Sequence, residues 1–330
     1  MPKLEDIDGV GPKTVELLES KNILTVNQLA IMDPEQLSVI LGISVAKAKK
    51  MIKSAKDLTK DSIKIVPALD EYQLREERTQ WISTGSEELD RILGGRGVPT
   101  DAITAFFGEI ATGKSQLCKQ LVVNMKKQHG RASAWIETEP RTLQIERIKE
   151  MAEAQGVDFD LRKDLFVVPA RFIETPTHMF QAYEIIEDKI KEGMDIGLLV
   201  IDSFNAKFRS TYSGRETLGP RSQEQARHMG YLQILASKYN IAIVLTLQVM
   251  GIPDSGQQLG AIKKYGIRKP PVVSDVAKHS INYLIGLDQV SSSDKTWSAV
   301  IADGPVPRDS CLFMITEYGI EDVKKRKGVR

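Results

Sequence analysis

Eight residues carry the clearest chemistry: Gly108-Glu109-Ile110-Ala111-Thr112-Gly113-Lys114-Ser115. They follow the apolar run Ala102–Phe107 and precede a segment with helical spacing, Leu117, Leu121, Val122 and Met125. Strand, Gly-x-x-x-x-Gly-Lys-Ser and helix, in that order, is the context of a phosphate-binding loop. The glycines let successive backbone N–H groups turn onto phosphate oxygens, and the helix N-terminus adds the positive end of its dipole. Lys114 has the reach for β- and γ-phosphates, and the Ser115 hydroxyl suits Mg2+. A plain Gly-rich turn would leave the lysine, the serine and the flanking pattern to chance.

Three further strand ends supply reactive groups. Leu198-Leu199-Val200-Ile201-Asp202 reads as a buried strand ending in a carboxylate on the side where a phosphate loop lies. Asp202 is therefore expected to hold the Mg2+ shell through water, with Ser115 as the direct ligand. Ile136-Glu137-Thr138-Glu139 ends a second strand. Hydrolysis needs a carboxylate to polarise the attacking water. Glu137 and Glu139 share a face if the strand runs on, so spacing does not choose between them. Leu245-Thr246-Leu247-Gln248 ends a third strand, with an amide placed to sense the γ-phosphate and pass its state to the segment that follows.

That segment, residues 249–275, is long and contains Gly251, Gly256, Gly260 and Gly266 with Lys263, Lys264, Arg268 and Lys269. A second basic loop, Arg209-Ser210-Thr211-Tyr212-Ser213-Gly214-Arg215, follows Asp202. Either alone reads as a solvated loop. Together, on the nucleotide side of one sheet, they make a groove for single-stranded nucleic acid. His129, His178, His228 and His279 show neither metal nor triad spacing.

The elements that hold these groups alternate. Strand-like runs at 132–136, 165–168, 196–201 and 241–247 are separated by helical patterns near 142–155, 176–192 and 221–238. That is an α/β pattern, a mostly parallel sheet with helices on both faces. Runs at 281–287, 297–302 and 311–315 read as strands added at its edge. Residues 81–330 form this unit. Residues 1–60 read as a small all-α domain, with Gly9-Val10-Gly11-Pro12 between short helices and Leu41-Gly42-Ile43-Ser44 as a degenerate second copy. Hydrophobic-Gly-hydrophobic-Gly between helices resembles the helix-hairpin-helix module, whose amides at Gly9 and Gly11 would face a DNA phosphate. Residues 61–80 read as a charged linker with an apolar island at Ile63, Ile65, Val66, Ala68, Leu69 and Tyr72, which suits an extended segment added to another subunit's sheet edge.

Composition bounds the rest. No apolar run approaches the roughly 20 residues of a membrane span, and Met1–Asp6 does not begin a signal peptide. The two cysteines, Cys118 and Cys311, lack metal-ligand spacing, so a reducing, cytoplasmic location fits. Net charge is +1, so any basic surface for nucleic acid must be local.

Across almost the whole chain these residues resemble the archaeal RadA recombinases of the RecA family. Gly108–Ser115 matches their phosphate loop and Leu198–Asp202 their metal strand. Phe208-Arg209-Ser210 with Tyr212-Ser213-Gly214-Arg215 matches the first DNA loop. Glu139 falls where the family keeps its catalytic glutamate, and Glu146-Arg147-Ile148 follows as expected. Asp303-Gly304-Pro305-Val306-Pro307 resembles the cap that closes over a neighbour's ATP, and Thr316–Ile320 the terminal strand and turn. Ile65-Val66-Pro67-Ala68 resembles the polymerisation segment, with Ile65 in place of its phenylalanine.

The resemblance implies a RecA-like P-loop ATPase core behind a helix-hairpin-helix head. It implies ATP and Mg2+ as cofactors, with Glu139, Lys114 and Gln248 as catalytic residues and Ser115 and Asp202 at the metal. Arg147, Asp303 and Pro307 would contact the nucleotide. Arg209, Tyr212, Arg215, Lys263, Lys264, Arg268, Gly9 and Gly11 would contact DNA, and Ile65 and Ala68 would join protomers. The implied activity is a DNA-dependent ATPase that self-assembles into a filament or ring on single- and double-stranded DNA, and promotes homologous pairing and strand exchange in repair. Departures cluster at the second DNA loop, where Val272-Val273-Ser274-Asp275 replaces Ile-Gly-Gly-His, and at Leu247, Leu284 and Asp288. They point to an alternative: a paralogue that binds ATP and single-stranded DNA, regulates another recombinase, and has weak hydrolysis and little strand exchange.

Overall fold

The computed structural model describes residues 3–21, 23–60, 65–251, 260–262, 265–267, 269–291 and 293–323. The chain divides into two compact units, Met1–Glu77 and Arg78–Arg330.

The first unit is helical: α1 (Pro12–Ser20), α2 (Val26–Ala30), α3 (Pro34–Leu41) and α4 (Val45–Lys60). Local chemistry sets the boundaries. Thr25 and Gln28 form a reciprocal capping box at α2, and Asp33 caps α3 with Pro34 at its first position. Gly42 ends α3 in the left-handed conformation at φ 63°. Gly9 has the same handedness at φ 86°, so both predicted hairpins turn on a left-handed glycine. Leu18, Leu29, Leu37, Ala48 and Met51 form the core.

Helix α5 (Ala68–Arg78) occupies most of the stretch read from sequence as an extended linker. Acidic residues in its first turn and the Glu71–Arg75 pair at 2.7 Å favour a helix locally. None of its side chains is buried, and Ile65, Val66, Leu69 and Tyr72 are exposed.

The second unit begins with β1 (Trp81–Ile82), α6 (Glu87–Ile92) and β2 (Val98–Pro99), a small antiparallel pair with a helix between its strands. Then come β3 (Ala102–Phe107), α7 (Lys114–His129), β4 (Ala132–Glu137), α8 (Ile145–Ala154), β5 (Leu165–Val168), α9 (Pro176–Lys191), β6 (Ile196–Asp202), α10 (Ala206–Thr211), α11 (Leu218–Tyr239) and β7 (Ala242–Leu247). The chain closes with β8 (Tyr283–Ser291), β9 (Thr296–Asp303), β10 (Ser310–Thr316) and β11 (Gly319–Asp322).

The large sheet has the order β11-β10-β9-β8-β3-β7-β6-β4-β5. From β8 to β5 the strands are parallel, and β9, β10 and β11 alternate antiparallel. Alternate side chains serve opposite layers. Phe106 packs with α6, α7 and α8, whereas Ile103, Ala105 and Phe107 pack with α9 and α11. Expectation and structure differ at β8. It is not an edge addition but the parallel neighbour of β3, with Thr104 opposite Tyr283 and Phe107 opposite Gly286. Tyr283, Leu284, Ile285 and Leu287 are buried, which an interior strand requires.

Candidate nucleotide and DNA site

Strand β3 delivers the chain to the loop, and α7 starts at Lys114. Two glycines are obligatory. A Cβ at Gly108 would lie 2.4 Å from the Leu287 carbonyl oxygen. Gly113 has φ +87° and would place a Cβ 2.8 Å from Ile315. Lys114 Nζ lies over the loop, donating to the carbonyl oxygens of Gly108 (2.9 Å) and Glu109 (2.5 Å) and to Thr112 Oγ1 (3.3 Å). Burial lowers its pKa, opposed by the charges of Asp202, Glu139 and Glu109. A phosphate brought to the loop would supply the counter-charge that burial makes favourable. Beside the loop a cavity of about 460 Å³ is bounded by Lys119, Arg147, Trp297 and Ile315. Arg147 is held in place by the carbonyl oxygens of Thr316 and Glu317, and Trp297 Nε1 donates to Ala111 O at 3.3 Å. Ile110 points to solvent, and the Glu109 carboxylate pairs with Lys269 at 2.7 Å.

The structure brings Ser115 and Asp202, the residues expected at Mg2+, side by side. Ser115 Oγ donates to Asp202 Oδ2 at 2.8 Å, and Thr246 Oγ1 donates to Oδ1 at 2.5 Å. Burial raises the pKa of Asp202, opposed by these two hydroxyls and by Lys114 and Lys119. No cluster of three or more His, Cys, Asp or Glu side chains able to hold a metal occurs among the described residues. A hydroxyl and a carboxylate side by side instead suit Mg2+, which takes one or two protein oxygens and completes its shell with phosphate and water. Thr246 was not singled out from sequence. Its only signal is its place on β7 beside the end of β6.

The two glutamates separate by their partners. Glu137 Oε1 accepts from the backbone N–H groups of Thr142 (2.9 Å) and Leu143 (3.2 Å), and Oε2 from Ala170 (3.4 Å). It organises the turns after β4 and β5. Glu139 is half-buried and faces side chains. Both its oxygens accept from Gln248 Nε2 at 3.1 Å, and Oε2 accepts from Ser203 Oγ at 3.0 Å. The Asp202–Ser203 peptide beside it is cis.

The first basic loop reaches this cluster. Arg209, exposed on α10, donates to Gln248 Oε1 at 2.6 Å. Tyr212 is partly buried against the core rather than free in the loop. Arg215 opens a short 3-10 turn, and its side chain lies outside the described residues, as do Lys263, Lys264 and Arg268. At the end of the second loop Val273 is buried and Ser274 caps a short helix, Asp275–Lys278. Asp275 pairs with Lys278 at 2.8 Å, so the acidic residue of this departing stretch carries its own cation.

Some predicted site residues stand apart. Strand β9 runs antiparallel to β8, so Asp303 and Pro307 lie toward the sheet end opposite the phosphate loop, both exposed. One chain does not bring them to its own nucleotide cavity. Gly9, Gly11, Ile65 and Ala68 belong to the first unit.

The Rad51 family model matches residues 75–323, and a model described as a SAM-like helix-hairpin-helix tandem matches residues 1–57. The DNA repair and recombination protein RadA of Metallosphaera sedula is 34% identical over 332 residues, covering 98% of this chain and 96% of that protein.

Proposed function

The chain belongs to the Rad51 family, and from that premise we propose that it is an ATP-dependent, DNA-binding recombinase of DNA repair and recombination. It assembles on single-stranded DNA and promotes homologous pairing and strand exchange, with ATP and Mg2+ as cofactors. The observation that carries this reading is the convergence of Lys114, Ser115–Asp202 and Glu139 at one sheet end, with Arg209 of α10 bonded to the same cluster.

Each residue has a task in that reading. Mg2+ with ATP supplies a polarised γ-phosphate. Lys114 and the loop amides bind the phosphates, Ser115 and Asp202 hold the metal shell, and Glu139 orients the attacking water. Arg147 and Trp297 border the rest of the nucleotide. Asp303 and Pro307 serve the nucleotide of an adjacent protomer. The hairpins at Gly9 and Gly42 turn their amides toward DNA phosphates.

Self-assembly has its own support. An apolar cavity of about 650 Å³ lies beside β5, the last strand of the sheet, lined by Phe166, Val168, Ile185, Ile186 and Met194. Ile65 is fully exposed in the short non-helical stretch 65–67 that leads into α5 at Ala68. Docking of that stretch from a second copy would fill the cavity and cover the strand edge.

One observation favours the second reading, a paralogue that regulates another recombinase and exchanges strands poorly. Val273 is buried and Asp275 is paired, so the end of the second loop is packed where an approach to DNA would need open backbone.

ATP hydrolysis with and without single-stranded DNA separates the two: strong stimulation supports the recombinase, and none supports the paralogue. Binding of single-stranded DNA measured across salt tests what they share. Affinity that does not weaken as salt rises would remove both.

A further inference from the structure

Gln248 joins a carboxylate to a guanidinium. Its Nε2 donates to Glu139 at 3.1 Å, and its Oε1 accepts from Arg209 Nη1 at 2.6 Å. The backbone around it is fixed. Gln248 N–H donates to Asn205 Oδ1 at 3.1 Å, and its carbonyl oxygen accepts from Val272 N–H at 2.8 Å. Asn205 in turn donates to the Val272 carbonyl oxygen at 3.1 Å. Only the side-chain amide is left to turn. Ser203 Oγ takes the remaining side of the Glu139 carboxylate at 3.0 Å, so both its oxygens are engaged in hydrogen bonds.

Arg209 stands at the exposed end of this chain of bonds. Arg221 of α11 lies within reach of its charge. A DNA phosphate arriving there would be attracted by two cations. For Arg209 the exchange is favourable in kind. A guanidinium bonded to a neutral amide gives up a charge–dipole contact for a charge–charge contact with phosphate, which its planar fork can make bidentate.

We infer that Arg209 is a latch on hydrolysis. Without DNA it holds the Gln248 amide, and through it Glu139, in a closed hydrogen-bonded set. A DNA phosphate that takes Arg209 releases the amide and leaves Glu139 free to orient water. Arg209 is thus a positioning residue acting through Gln248. The inference rests on the DNA-binding, ATP-hydrolysing reading above and names the switch of that same site.

The test compares turnover without DNA in the wild type, Arg209→Met and Arg209→Lys. Arg209 is exposed, so both variants are expected to fold. Arg209→Met should raise DNA-free kcat about two- to tenfold, the effect of one net hydrogen bond, with KM for ATP unchanged. Single-stranded DNA should add nothing further to that variant. Arg209→Lys restores a donor and should bring DNA-free turnover back down. An Arg209→Met protein whose DNA-free kcat equals or falls below the wild type overturns the latch and leaves Arg209 a simple phosphate contact. Wild-type turnover that ignores DNA would instead refute the recombinase reading, while the DNA-free comparison still decides the latch.

Discussion

Replacing Glu137 and Glu139 one at a time with glutamine should produce opposite phenotypes. Glu137 binds three backbone N–H groups, two at Oε1 and one at Oε2. Glutamine keeps one acceptor oxygen, loses the charge, and points an NH2 group at the Ala170 N–H. Hydrogen bonds to a charged group contribute about 1.5–3 kcal/mol and neutral ones about 1, so Glu137→Gln should lose about 2–3 kcal/mol of stability. For a unit of this size that lowers Tm by about 5–10 °C. Its kcat should stay within about tenfold of wild type, because the carboxylate faces turns and not the phosphate loop. Glu139→Gln removes a charge whose partners, Gln248 and Ser203, are side chains able to rearrange, so stability should change by about 1 kcal/mol or less. Its kcat should fall by about 10²–10⁴, the usual contribution of a positioned base, with nucleotide binding intact. Steady-state ATPase kinetics, a nucleotide-binding titration and thermal unfolding of both variants form the assay. If Glu137→Gln abolishes hydrolysis at unchanged Tm while Glu139→Gln keeps it, the assignment is wrong.

Lys114→Ala should abolish nucleotide-dependent assembly, seen as an unchanged sedimentation profile on adding ATP and Mg2+; ATP-driven growth of the variant would contradict that role. Ile65→Glu should dissociate assemblies without lowering Tm, because its side chain is exposed in the single chain; filaments of normal length in electron micrographs would show that the segment does not join protomers. Glu187 offers a test by pH. Burial alone would raise its pKa, but hydrogen bonds from Lys238, Tyr231 and Tyr239 outweigh that and lower it from 4.5 to about 2. A depressed folded-state value contributes stability above the ordinary pKa, and that contribution fades as pH falls from about 4.5 toward 2. Glu187→Gln should therefore be less stable than wild type at pH 7, with the gap closing in acid; a gap constant across denaturant titrations from pH 7 to 3 would refute it.

Legibility followed the range of the forces involved. The phosphate loop was plain because its glycines, lysine and serine sit within eight residues and act through their own backbone. Asp202 was readable because a buried apolar strand must end somewhere, and the end carries the polar group. Spacing does not choose between Glu137 and Glu139; only the family resemblance points to Glu139. The choice depends on which of them meets the N–H groups of Thr142, Leu143 and Ala170, and those come from turns that no periodicity fixes. The place of β8 beside β3 is not legible, because an apolar run states that a strand is buried and not beside which partner. The helix at Ala68–Arg78 lay hidden under a composition rich in charge, where i,i+4 pairing outweighed the appearance of a linker. The Arg209–Gln248–Glu139 chain joins a helix and two strand ends far apart in sequence, and nothing local in any of them reports the other two.

The place of β3 in the sheet bears on how the protein is made. Its parallel neighbours are β7, which starts at Ala242, and β8, which starts at Tyr283. The strand that carries the phosphate loop is thus synthesised early and paired late, across contacts more than a hundred residues apart. Ladders that close such long loops form slowly, and until they form, Ile103, Phe106 and Phe107 present an unpaired apolar edge. Unpaired apolar edges of that kind are prone to wrong pairing while they persist. Completion of the site at the end of β3 therefore depends on strand pairing across more than a hundred residues.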